Sequence, residues 1–330
     1  MSQTTAVTEK LGNIFGSAFK DPQAAQRAVP VRTSGPFTPA DNPSHSFTEA
    51  HARLLVAWVW AGVSKNLMLT GPTGSGKSSM VEVFAARTGW PLFRVACHGR
   101  MEFQELVGAW RMASVPGGGQ EWKWADGPLL AAMKVGGILL LDEGNFLHPA
   151  VVGGLNTILD GAPLLVPETG EMVQPHPDFR VAFTANAVAH DMDAANYRGI
   201  QRQSIALLDR FLVGTVDYLT PMEESKILHA KCKHLASPFI QLLVEVAGDV
   251  REAFKQGEMT TTISTRGLIR WGKMLLANGR SLADASARGA TEEVLACLNG
   301  ALHAAVTARS PEAEREAIEK IVSARYAPVK

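Results

Sequence analysis

The most restrictive stretch of this sequence is Gly71-Pro-Thr-Gly-Ser-Gly-Lys-Ser78. A short apolar run, Asn66-Leu-Met-Leu-Thr70, leads into it and reads as a buried strand, and a helical pattern follows from Ser78 to about Thr88. The spacing G-x-x-x-x-G-K-S turns the chain sharply between strand and helix. Backbone N–H groups freed by the glycines can cradle phosphates at the helix N-terminus. Lys77 is expected to reach the β- and γ-phosphates and Ser78 to bind Mg²⁺. Gly71, Pro72, Thr73, Gly74, Ser75, Gly76 and Ser79 complete the nucleotide-binding set.

Such a loop needs a sheet behind it, and the sequence supplies the strands. Pro91–Ala96, Ile138–Asp142, Phe179–Thr184 and Leu212–Val216 are short apolar runs separated by helical patterns. This alternation predicts an α/β fold, a parallel sheet with helices on both faces. Leu54, Leu55, Trp58 and Val59 recur at helical spacing before the first strand, with Ser46 as the expected cap. Two stretches interrupt the alternation. Trp110–Trp124 folds about Pro-Gly-Gly-Gly, and Pro163–Val173 about Pro-Glu-Thr-Gly, so each predicts a β-hairpin insertion. After Tyr218 only helical patterns return, including one expected to be capped by Ser310 with Pro311 at its first position. The predicted organisation is a proline-rich arm or linker over 1–45, an α/β domain over 46–220 and an all-helical region over 221–330. Within the arm, Leu11, Ile14, Phe15 and Phe19 have the spacing of a short anchoring helix, between five prolines that forbid a long one.

Three further motifs place polar groups at strand ends. Asp142 closes the run Ile138-Leu-Leu-Leu, about 65 residues beyond Lys77, where open α/β sheets bind ligands. It is expected to hold Mg²⁺ through water, and Glu143 to orient and polarise the attacking water. Asn186 ends Phe183-Thr-Ala-Asn and is either a turn residue or a second group beside the γ-phosphate. Arg210 in Leu207-Leu-Asp-Arg-Phe211 is either half of a surface pair or a cation given to a neighbour's phosphate. Arg266 follows Ser264, a candidate cap, and lies in a first helical turn. A cation is mildly unfavourable there, which points to another use such as a phosphate.

In this order the motifs resemble an AAA+ ATPase of the MoxR-like group, and within it the CobS subunit of cobaltochelatase. Trp90-Pro-Leu-Phe-Arg-Val95, Glu105-Leu-Val-Gly108, Asp126-Gly-Pro-Leu129, Pro175-His-Pro-Asp-Phe-Arg180 and Phe183-Thr-Ala-Asn-Ala187 carry the likeness, which spans roughly 47–280. The resemblance implies a P-loop NTPase core with two hairpin insertions and a helical lid. It also implies ATP and Mg²⁺ as ligands, and a homo-oligomeric ring, most simply a hexamer. Arg210 would then reach the next subunit's nucleotide, and Arg266 would be the second sensor. Such rings work with a von Willebrand factor A-type partner and remodel a client. The resemblance would expose Trp110, Trp122 and Trp124 for docking; the residue-level expectation is that at least two of them pack on their own domain. The proline-rich N-terminus, the form of the glycine loop and the tail after about 280 depart from CobS.

Composition narrows the alternatives. The 330 residues carry 32 Lys+Arg and 32 Asp+Glu, so a broad basic nucleic-acid surface is disfavoured. A motor on nucleic acid stays as the alternative; it would use Arg198, Arg202 and Arg210, which are close in sequence, although Arg210 has the other use given above. A CobS-type subunit powering cobalt insertion into a corrinoid, and a nucleotide-switched scaffold, are the others. Glu143 argues against the scaffold, which needs no water-activating acid. Cys97, Cys232 and Cys297 form no CxxC pair, which predicts a reduced, cytoplasmic chain.

Overall fold

The computed structural model describes residues 7–116, 118–186 and 204–326. The chain divides into two compact units, 1–72 with 76–216, and 73–75 with 217–330.

The first unit is built on a five-stranded parallel sheet. Its order is Leu212–Thr215, Asn66–Thr70, Arg180–Ala185, Ile138–Asp142, Leu92–Ala96. The three inner strands are buried along their whole length. Successive side chains point to opposite faces, and the apolar residues divide accordingly. Leu67, Leu69, Ile138, Leu140 and Ala182 join one core with Trp58, Met80 and Phe84. Met68, Leu139, Leu141, Val181 and Phe183 join the other with Leu129, Leu130, Val151 and Leu155. Both faces are therefore covered by helices, as parallel sheets require. Helix Glu49–Val59 is capped by Thr48, whose hydroxyl accepts from the His51 N–H at 3.2 Å, and not by the expected Ser46.

The described part of the proline-rich N-terminal segment packs onto the first unit. Its helix Leu11–Phe15 and the strand Ala28–Val31 bury Leu11, Ile14, Phe15, Val29 and Val31 in the first of these cores. Phe15 stacks on Phe84 and meets Phe47 edge-on. The prolines keep the segment from forming a long helix, but its apolar residues suffice to attach it. Arg32 completes the attachment through Asp178 at 2.6 Å and through the face of Trp90.

Both insertions are antiparallel hairpins, Gly108–Ser114 with Gln120–Asp126 and Leu164–Val166 with Glu171–Val173. In the first, Trp110 faces Trp124 and Met112 faces Trp122 across the strands. Trp110 and Trp122 are 48% and 66% exposed, and only Trp124 packs against the core. The expectation that two of the three tryptophans pack inward is corrected. Cross-strand alternation puts all three on one face, and only the base of the hairpin has a core to rest on. Lys134 bridges Asp126 at 3.0 Å and Glu171 at 3.1 Å, so one ammonium ties the two hairpins together.

The second unit is helical, with Pro221–Lys231, Ser237–Lys255, Thr265–Ala277, Gly279–Ala287, Thr291–Ala305 and Glu312–Arg325 around Leu243, Trp271, Leu298 and Ile318. Ser310 does not cap the last helix. Pro311 occupies the cap position, and no side chain accepts there. Among the described residues, no helix is long and apolar enough to cross a membrane.

Candidate nucleotide site

The glycine loop connects strand Asn66–Thr70 to helix Lys77–Thr88. Gly71 has φ 142°, and a Cβ there would lie 2.1 Å from the Val216 carbonyl oxygen, so the close approach of these two backbone segments requires glycine. Lys77 begins the helix and is 6% exposed. Its ammonium donates to the carbonyls of Gly71 and Pro72 at 2.8 Å each and to Asn186 Oδ1 at 3.0 Å. Burial pulls this ammonium down to about 8, against the pull of Asp142 and Glu143. Ser79 follows in the first turn, half-buried.

Asp142 ends its strand beside the loop. Its Oδ1 accepts from the hydroxyls of Ser78 and, at 2.8 Å, Thr184; its Oδ2 accepts from Arg94, which also binds Glu82 at 2.7 Å. Burial alone would raise this carboxyl, but hydrogen bonds from Ser78, Thr184 and Arg94 outweigh it and hold the pKa below the usual range. The carboxylate is thus ionised at neutral pH. A hydroxyl and a carboxylate oxygen meeting at a helix N-terminus are a donor set suited to a hard, oxygen-seeking cation, so the residues fit Mg²⁺.

Glu143 is the one non-glycine residue with positive φ among the described residues, at 56°. Its N–H donates to Thr184 Oγ1 at 2.9 Å, and its side chain is exposed. The left-handed conformation costs a residue of this type about 1 kcal/mol. It points the carboxylate into solvent while the neighbouring carboxylate turns inward. Lys77, Ser78, Asp142, Glu143 and Asn186 therefore assemble at the C-terminal edge of one sheet.

Arg210 does not join them. Its guanidinium clamps Asp160 at 2.8 and 2.9 Å. Its carbonyl accepts from the Asn66 amide at 3.1 Å, at the start of the strand that ends in the phosphate loop. A five-residue strand spans roughly 16 Å, so Arg210 lies at the opposite edge of the sheet from Lys77. Arg266 lies in the helical unit, exposed on the first turn of helix Thr265–Ala277, where Ser264 accepts from the Gly267 N–H at 3.1 Å. Arg198 and Arg202 fall outside the described residues.

Two members of the site were not singled out from sequence. Arg94 is a charge inside the apolar run Pro91–Ala96, and that break in pattern was its only signal. Thr184 was read as part of Phe183-Thr-Ala-Asn186, but nothing in the sequence ties its hydroxyl to both Asp142 and Glu143.

Residues 66–211 match the AAA domain (dynein-related subfamily), and residues 224–324 match the CbbQ/NirQ/NorQ C-terminal family. The likeness to known proteins therefore continues past residue 280. An uncharacterized protein of Staphylococcus saprophyticus is 32% identical over 209 residues, 63% of this chain and 76% of the relative. The aerobic cobaltochelatase subunit CobS of Sinorhizobium sp. is 30% identical over 254 residues, 74% of this chain and 75% of the relative. The phosphate loop, the acids at the end of strand Ile138–Asp142 and the helical C-terminal family converge: the chain belongs to the MoxR-like AAA+ ATPases, and it binds and hydrolyses ATP.

Proposed function

We propose that this ATPase is a Mg²⁺-dependent motor that works as a homo-oligomeric ring, most simply a hexamer, and remodels a protein partner. The observation that supports it is Arg210. A cation placed at the far edge of the sheet from its own phosphate loop is useless to that loop, and on release from its surface pair with Asp160 it would be available to the next subunit.

In this reading the loop amides and Lys77 hold the β- and γ-phosphates, with Lys77 exchanging its present carbonyl and Asn186 partners for phosphate oxygens. Ser78 and Asp142 would hold Mg²⁺, which when bound neutralises charge on the phosphate oxygens. Glu143 takes the proton of the attacking water, and Asn186 keeps that water in line. Arg210 of the next subunit stabilises charge developing on the γ-phosphate. Arg266, as the second sensor, contacts phosphate from the helical unit. The exposed Trp110 and Trp122 are suited to grip a partner, and a von Willebrand factor A-type protein in the cytoplasm fits the family.

The test is turnover and ATP binding. Glu143→Gln should lower hydrolysis about 10²- to 10⁴-fold and keep ATP bound, so that a pull-down in ATP retains the partner. Wild-type turnover in this variant would remove the assigned role. A second reading, ATP-driven cobalt insertion into a corrinoid, is favoured by the 30% identity to CobS. It predicts rescue of a strain lacking its own CobS, and failure of that rescue counts against it.

A further inference from the structure

The tip of the phosphate loop, Thr73–Ser75, belongs to the helical unit, and there it is joined to the turn that launches Arg266 in two ways. The first is direct contact. A Cβ on Gly74 would lie 2.6 Å from the Cβ of Ser264 and 2.9 Å from its hydroxyl, so only glycine fits against the residue that caps the Arg266 helix.

The second is a relay of side chains. The Tyr218 hydroxyl donates to the Thr73 carbonyl at 3.1 Å. The Tyr218 ring carries the Arg251 guanidinium 4.1 Å from its centroid. Arg251 donates through both terminal nitrogens to Glu224 at 2.8 Å each, and through Nε to the Ile263 carbonyl at 2.7 Å. Glu224 also accepts from the Thr265 hydroxyl at 2.7 Å. The residues on either side of Ser264 are thereby pinned to one planar, bidentate ion pair.

Glu224 is 1% exposed and Arg251 8%. Buried pairs of this kind add little net stability over an apolar substitute, but this one holds both residues that flank Ser264. Here the geometry runs from the loop backbone to Ile263 and Thr265. The Thr73 carbonyl is thus linked through Tyr218 to the guanidinium that holds the first turn of the Arg266 helix.

We propose that Tyr218 and the Arg251–Glu224 pair are positioning residues that make the aim of Arg266 depend on the state of the phosphate loop. The proposal rests on the reading of Arg266 as a phosphate-contacting sensor.

A double-mutant cycle on the full chain tests it, with kcat and KM for ATP measured for wild type, Tyr218→Phe, Arg266→Ala and the double variant. Tyr218→Phe keeps the ring over Arg251 and removes only the hydroxyl. It should lower kcat roughly two- to thirtyfold with KM unchanged, and it should cost nothing further once Arg266 is gone. Thr265→Val should reproduce the loss and Thr265→Ser should restore wild-type turnover. Multiplying losses in the double variant, or full activity of Tyr218→Phe beside an impaired Arg266→Ala, overturn the relay and leave the sensor standing. Full activity of Arg266→Ala removes the sensor reading and the relay with it.

Discussion

The two edges of the central sheet use polar side chains in opposite ways. At the C-terminal edge Ser78 and Thr184 donate to Asp142, and Lys77 donates to Asn186 and to the carbonyls of Gly71 and Pro72, residues only half-buried, so that water can take its place on them. At the N-terminal edge they close off backbone. Asn66 donates to the carbonyls of Leu159 and Arg210, Arg180 to that of Val59, and Trp58 to that of Lys65. A side chain bonded to another side chain can exchange it for a ligand. A side chain capping a buried carbonyl cannot leave without stranding that carbonyl. One edge is thus exchangeable and the other fixed, and Arg210 projects from the fixed edge.

The sharpest way to break this contrast is to separate the edges between subunits. Arg210→Ala should lower kcat about 10³-fold or more while ATP still binds. Mixing it with Glu143→Gln subunits should recover turnover, because each variant supplies the edge the other lacks; no recovery would refute action across the interface. Next comes pH. With Lys77 held at about 8, the ammonium that attracts phosphate is lost as pH rises through that value. ATP affinity should then fall by up to about tenfold per unit. Protein stability should move the other way, rising from about pH 8 toward the unfolded lysine value, because there the unfolded chain binds more protons. Titration of binding and of melting temperature across this range checks both signs. A smaller effect is expected at the fixed edge. Asp160→Asn removes the brace on Arg210 and should lower kcat roughly two- to tenfold with little change in melting temperature, since the pair is exposed. The smallest is at Glu143. Asn tolerates the left-handed backbone, so Glu143→Asn should raise the melting temperature by roughly 2–4 °C, corresponding to about 1 kcal/mol, even as hydrolysis is lost. Glu143→Gln should give no such gain.

The exchangeable edge was largely legible in the sequence because its groups are carried by local patterns: a glycine loop, two acids after four apolar residues, an Asn after a strand. The strands themselves were legible for the same reason. The fixed edge was not. Asp160 and Arg210 are fifty positions apart, and Asn66 looks like an ordinary strand start until Leu159 and Arg210 are brought to it. Arg94, Thr184 and the Glu224–Arg251 pair were missed for one cause: their partners come from other elements, and a hydrogen bond between elements leaves no periodicity. In the N-terminal arm the prolines left linker and docked arm both open, and the spacing of Leu11, Ile14 and Phe15 was the local signal for the helix that buries them.

That attachment sets an order of events during synthesis. Ile14 and Phe15 leave the ribosome long before Phe84, and Arg32 precedes its partner Asp178 by 146 residues. At cellular elongation rates this interval is roughly ten to thirty seconds. Until Phe84 and its neighbours follow, the apolar side chains of this segment have little to cover, a window in which a holding chaperone or a wrong surface can claim them. The strap is made before the sheet that it covers.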